Sequence, residues 1–210
     1  MGDGDTTGAL CRERIVETAL AIADEHGINA VSMHRVAKEL SVGSMTLYTY
    51  VEGKEDLMDA VASAAVESIR IPDLDLPWDE RVRELARETA AAARRHRSLP
   101  GLLMVRPPST VEALRPLEFL LQALRDAGVP DQDAARIAEL QWALIGGLLL
   151  GNRTGVFDRS AEEPILHRAV EDGHFPNITA LGQLLFEEPQ ETLEFSLDVV
   201  IAGIRARIAG

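Results

Sequence analysis

"LSVGSMTLYTYVEGKEDLM", residues 40–58, decides how this chain is read. It holds both tyrosines of the protein, Tyr48 and Tyr50, and one of its two lysines, Lys54; the other, Lys38, lies just upstream. Aromatic residues make up only 4% of the 210 residues, and the formal net charge is -13. So acidic a chain has nonetheless gathered its tyrosines and lysines in one place. The local pattern predicts two short helices joined by a tight turn. Ser32 is a candidate N-cap for a helix through Leu40. A turn follows at Ser41–Gly43, and a third helix covers about residues 44–50. Steeply crossing helices need a small residue where they touch, and Ala37 supplies it. Apolar residues must fill the angle between them; Val36, Leu40, Val42 and Leu47 stand where that filling belongs. The joint pattern predicts a helix-turn-helix.

Working outward, Ile15, Ala19, Ile22 and Ala23 form one apolar stripe of a first helix over about 10–26, with Gly27 as its stop. Downstream, Gly53 breaks the chain before a fourth helix over about 54–69, with Leu57, Val61, Ala64 and Ala65 on one face. "IPDLDLPW" at 71–78 carries two prolines and is the best domain boundary. The expected domains are therefore 1–70 and 71–210. Further helices are expected at about 78–97, 100–105, 110–127, 131–152 and 189–208. A weak polar helix is expected near 161–172, followed by a loop, "GHFPNITALG", at 173–182. Strand-like alternation is missing, so the predicted class is all-α.

Composition narrows the function. Hydrophobic residues are 46% and charged residues 26%, ordinary for a globular protein with a real core. The single cysteine, Cys11, rules out an intramolecular disulfide framework and fits a reducing cytoplasm. The opening "MGDGDTTGAL" is acidic and small, unlike a secretory leader. The longest apolar run, 143–151, is too short to span a bilayer. The expectation is a soluble cytoplasmic protein with no membrane partner. The net charge of -13 opposes nonspecific adhesion to nucleic acid, so any DNA binding must be local.

The stretch "RERIVETALAIADEHGINAVSMHRVAKELSVGSMTLYTYVEGKEDLMDAV", residues 12–61, resembles the DNA-binding domain of the tetracycline-repressor (TetR) family. The core of the likeness is "TLY" at 46–48, the aromatic at Tyr50 and the lysine at Lys54. The C-terminal "ETLEFSLDVVIAGIRARIAG" resembles the last helix of that family's tetracycline-repressor-like branch. The resemblance implies an N-terminal three-helix DNA-binding domain and a C-terminal helical bundle for effector binding and dimerisation. It implies a transcriptional regulator, more often a repressor than an activator, released from a palindromic operator on double-stranded DNA by a small organic effector. No cofactor and no metal are implied.

Residue by residue, the resemblance places Ser44 and Met45 at base edges. It places Thr46, Tyr48, Tyr50 and Lys54 at phosphates, and Ser32 and His34 at backbone or base. Tyr48 as a plain core aromatic, Lys54 as a solvated lysine, Met45 packed inward and His34 away from DNA remain the alternatives. The effector candidates are His96, Met104, Arg106, Phe119, Gln122, Gln141, Trp142 and Asn152, each of which could instead be core or surface. The fourth helix would transmit effector binding to the DNA domain. The helices near 131–152 and 189–208 resemble the pair that forms a homodimer interface, with Trp142, Ile145, Leu149, Phe195, Val199, Ala202 and Ala206 facing the partner; ordinary core helices of a monomer are the alternative. Two features depart from the family. Ser41 stands where glycine is usual, costing about 1 kcal/mol if the backbone there is left-handed. Residues 12–61 are themselves net acidic.

Two other classes compete with this reading. An enzyme finds little support: Cys11 has no nearby histidine, and His167 and His174 have no standard metal spacing. The glycine-rich pieces lack a phosphate-loop pattern. A helical protein-interaction module would share the fold but show no DNA sequence preference.

Overall fold

The computed structural model describes residues 10–107, 109–154, 175–181 and 189–208. Ten α-helices lie among the described residues, and no strand. They are α1 (Arg12–His26), α2 (Met33–Glu39), α3 (Ser44–Leu47), α4 (Lys54–Glu67) and α5 (Trp78–Arg95), then α6 (Leu99–Val105), α7 (Arg115–Asp126), α8 (Asp131–Thr154), α9 (Pro176–Leu181) and α10 (Pro189–Ile208). Short 3-10 turns precede α2 and α7. Contacts divide the chain into two units: Met1–Pro72 with Arg87–Phe119, and Asp73–Ala86 with Leu120–Gly210.

In the first unit, α1 packs on α2 and α4, and α2 on α3. The expected stripe of α1 is buried at Ile15, Ala19, Ile22 and Ala23. It meets a core that includes Val31, Val36, Leu47, Leu57 and Val61. Gly27 ends α1 with φ 85, donating its N–H to Ala23 C=O at 2.9 Å. A side chain would be strained at that φ, which is why glycine stops the helix here. Farther along, α4 packs on α6 and on the 3-10 turn Glu112–Leu114.

In the second unit, α8 packs on α10. Leu193, Leu197, Ile201 and Ile204 bury one face of α10. Ala134, Ala138, Gln141 and Ile145 bury one face of α8. Arg83–Asp198 at 2.6 Å and Arg205–Asp79 at 2.5 Å tie the start of α5 to α10. Arg207–Asp133 at 3.0 Å ties α10 to α8.

Three expectations about elements change. The third helix ends at Leu47, and residues 48–50 form a turn instead. Thr49 and Tyr50 donate their N–H groups three residues back, to Thr46 and Leu47, which tightens the chain out of α geometry. The Thr49 hydroxyl also takes the Thr46 carbonyl, at 2.6 Å. The entry to α7 is a 3-10 turn, with the α-helix starting at Arg115. Residues 176–181, expected as loop, form α9; Pro176 opens it, where a missing N–H costs nothing. The expected helix at 161–172, with His167, lies outside the described residues, as does His174.

Candidate nucleic-acid interface

The α2–turn–α3 segment carries the sequence prediction into geometry. Ala37 and Val36 on α2 and Leu47 on α3 are buried, while Leu40 and Val42 are half-buried. Ser32 caps α2: its Oγ accepts the Arg35 N–H at 3.2 Å, leaving its own O–H free to donate elsewhere. At the other end, Ser41 N–H donates to Lys38 C=O at 3.1 Å and Val42 N–H to Ala37 C=O at 2.9 Å. This pair of bonds closes a helix through one left-handed residue. That residue is Ser41, with φ 56, the one non-glycine residue at positive φ among those described. The departure from glycine therefore falls where it costs most.

α3 buries Leu47 and turns its other side chains outward. Met45 is 78% exposed, Tyr48 48%, and Tyr50, Thr46 and His34 are exposed as well. Tyr48 is thus no core aromatic. Ser44 is half-buried at the start of the helix. Lys54 is the first residue of α4 and is exposed, as is Lys38.

The structure adds a clamp that sequence reasoning missed. Arg12, at the start of α1, holds Asp56 in the first turn of α4 with two parallel bonds, at 2.6 and 3.0 Å. The same guanidinium donates to Tyr50 C=O at 2.8 Å. Asp56 in turn accepts Glu52 N–H at 2.8 Å. One bidentate pair thereby fixes the end of the recognition segment, the loop and the start of α4. The Arg12 hydrogen bond holds the Asp56 carboxyl below the usual carboxylate range, against desolvation and with help from the Glu52 N–H. The residues are 44 apart, and no periodicity links them.

The effector candidates divide between the two units. In the first, His96 Nδ1 lies 2.8 Å from Asp24, which also accepts the N–H and O–H of Ser98. Arg106 is engaged by Glu55 and Asp59. Phe119 is buried. Met104 lies on α6, with its side chain outside the described residues. In the second, Gln122 is exposed and donates to Asp126 at 2.7 Å. Gln141 is buried, and its Oε1 has no hydrogen-bond partner among the described residues. Trp142 is exposed, and Asn152 lies on α8 with its side chain outside the described residues. Of the dimer candidates, Trp142, Phe195, Val199, Ala202 and Ala206 are exposed; Leu149 is half-buried and Ile145 buried. No cluster of three or more metal-ligating side chains occurs among the described residues. No helix among them is long and apolar enough to cross a membrane.

A buried helix crossing that presents a one-turn helix, with exposed Met45 and Thr46 on it and Tyr48 and Tyr50 in the turn that follows, marks a helix-turn-helix DNA-binding protein. Residues 15–61 match the family described as "Bacterial regulatory proteins, tetR family". Residues 71–208 match "Tetracyclin repressor-like, C-terminal domain". The chain belongs to the tetR family of bacterial transcriptional regulators. It is similar to the HTH-type transcriptional repressor DrrR1 of Streptomyces coeruleorubidus, at 31% identity over 95% of this chain and 79% of that one. Among solved structures it is similar to ActR of Streptomyces coelicolor in complex with (S)-DNPA, with a TM-score of 0.82, 29% identity, and coverage of 95% of this chain and 99% of that one. It is also similar to BioQ bound to its double-stranded DNA operator, with a TM-score of 0.67, 26% identity, and coverage of 94% and 99%.

Proposed function

We propose that this regulator is a homodimeric repressor that reads a palindromic operator through α3 and is released by a small organic effector. The observation that carries the DNA side is the exposed set on and around one buried anchor: Met45, Thr46, Tyr48 and Tyr50 outward, Leu47 inward. Ser44 and Met45 face base edges; Thr46, Tyr48, Tyr50 and Lys54 hold phosphates, with Ser32 and His34 beside them. A single four-residue helix contacts too few base pairs to be selective. Two copies about 34 Å apart read one palindrome. The exposed apolar faces of α8 and α10, at Leu140, Trp142, Phe195 and Val199, support pairing with a second copy. The ligand-bound state of ActR and the repressor DrrR1 support an effector-released repressor. Gln141, whose buried Oε1 has no partner among the described residues, is the best-supported effector contact. The protein acts by binding, in the cytoplasm, without turnover.

Selection from a random duplex pool, followed by a salt titration, tests this. A two-fold symmetric site is expected. Lys54→Ala should flatten the log–log salt dependence by about 0.9 per protomer. An enriched pool without symmetry, or an unchanged slope, refutes the corresponding part.

A further inference from the structure

The first turn of α4 is an awkward place to hold a phosphate. Lys54 is followed directly by Glu55 and Asp56, with Asp59 one turn on. Residues 12–61 hold five Arg and Lys against nine Asp and Glu. Carboxylates favour a helix N-terminus for the reason phosphates do, so they compete with phosphate for the site. Each of the three is met by an arginine. Asp56 is taken by Arg12, from within the helix-turn-helix unit. Glu55, at 2.8 Å, and Asp59 are both taken by Arg106, which lies beyond α6.

Arg106 is well placed to act on both. Its side chain is 21% exposed, whereas that of Glu55 is 79% exposed. The cation is therefore the fixed partner, and the carboxylate is the one drawn onto it. The residues after Arg106 are fastened to the same face of α4. Ser109 donates its N–H to Ser63 Oγ at 3.0 Å, and the two hydroxyls meet at 2.8 Å. Thr110 Oγ1 donates to Glu67 at 2.5 Å. Glu55, Asp59, Ser63 and Glu67 recur every four residues, which puts them on one stripe of the helix.

We propose that Arg106 is a positioning residue for DNA binding: it holds Glu55 and Asp59 off the phosphate path at Lys54 and cancels their charge without touching DNA. This rests on the assignment of Lys54 to a phosphate. Operator affinity then depends on a cation supplied from outside the helix-turn-helix. It also follows that Arg106, expected from sequence to line an effector site, has its guanidinium committed to α4.

The test uses the full chain and a fluorescent operator duplex taken from the selected pool, with affinity measured by anisotropy from 0.05 to 0.4 M salt. Arg106→Gln should weaken binding about two- to fivefold near 0.1 M salt, and by less at 0.4 M, because the freed carboxylates act at long range and are screened. Adding Glu55→Gln to Arg106→Gln should restore most of the loss, and Arg106→Lys should retain most of the affinity. Thermal melting of the same variants reports folding separately. A loss that Glu55→Gln and Asp59→Asn together do not recover is structural and overturns the proposal, as does unchanged affinity in Arg106→Gln. Lys54→Ala is the control: if it alone weakens binding, only the Arg106 proposal falls. If Lys54→Ala binds normally, the phosphate assignment and the proposal fall together.

Discussion

Breaking the Arg12–Asp56 clamp should cost stability in a pH-dependent way. Arg12→Gln removes two charge-assisted bonds to Asp56 and one to the Tyr50 carbonyl. Buried, such bonds contribute about 1.5–3 kcal/mol each to charged groups. Here the side chains are 42% and 28% exposed, so solvent screens the pair and the total falls to about 1–2 kcal/mol. In a chain of this size that lowers the melting midpoint by roughly 2–8 °C. The pairwise part comes from a double-mutant cycle with Asp56→Asn, which keeps an oxygen for the Glu52 N–H, and should be about 1 kcal/mol. The pH dependence follows from the depressed carboxyl of Asp56. Its contribution is fully present above the unfolded value, near the usual 3.8, and is lost as pH falls through the lower folded value. The cost of Arg12→Gln should therefore be constant from pH 7 to about 5 and shrink below about 4. Urea unfolding followed by far-ultraviolet circular dichroism suits the measurement, since Trp78 and Trp142 both lie outside the first unit. A coupling below about 0.3 kcal/mol, or a cost unchanged at pH 3, would show that the clamp carries no energetic weight.

Perturbations at three other positions have equally definite outcomes. Ser41→Gly relieves about 1 kcal/mol of left-handed strain but adds about 0.4–1 kcal/mol of unfolded-state entropy. A net gain of up to about 0.5 kcal/mol is expected, and Ser41→Val, β-branched at φ 56, should instead lose more than about 1 kcal/mol in urea unfolding. Leu57→Ala empties a site with no solvent exposure and should cost about 2–5 kcal/mol, read from the urea midpoint. Phe195→Glu places a charge on the exposed face of α10 and, for the homodimer proposed above, should shift the sedimentation coefficient from dimer to monomer while leaving the helical signal intact.

Much of the first unit was legible because its rules are local. Ser32 as a cap, Gly27 as a stop, and Ala37 with Val36 and Leu47 at the crossing all follow from neighbours within a few residues. The left-handed turn at Ser41 was legible only as a condition, since serine does not announce φ 56 as glycine would. The end of α3 was misjudged because the Thr49 hydroxyl and the 3-10 bonds of Thr49 and Tyr50 outcompete helix propensity. The short α9 was hidden by a proline that reads as a breaker yet serves as a first helical residue. The partners of Arg12 and Arg106 were out of reach altogether. Their ion pairs join residues more than forty positions apart, and in a chain with 21 basic and 34 acidic residues no charge pattern singles them out.

The brevity of α3 has a consequence for how such a regulator can change. Four residues cannot hold a helix in water, so the shape of the reading head is borrowed from Leu47, the Ser41 turn and the Arg12 clamp. Ser44, Met45 and Thr46 contribute almost nothing to that shape and can be exchanged at a cost within about 0.5 kcal/mol. With Ser44 and Met45 at base edges, as proposed above, operator preference can drift, or be engineered, without eroding the fold. By the same token, a peptide copied from this stretch would carry the letters and lose the spelling.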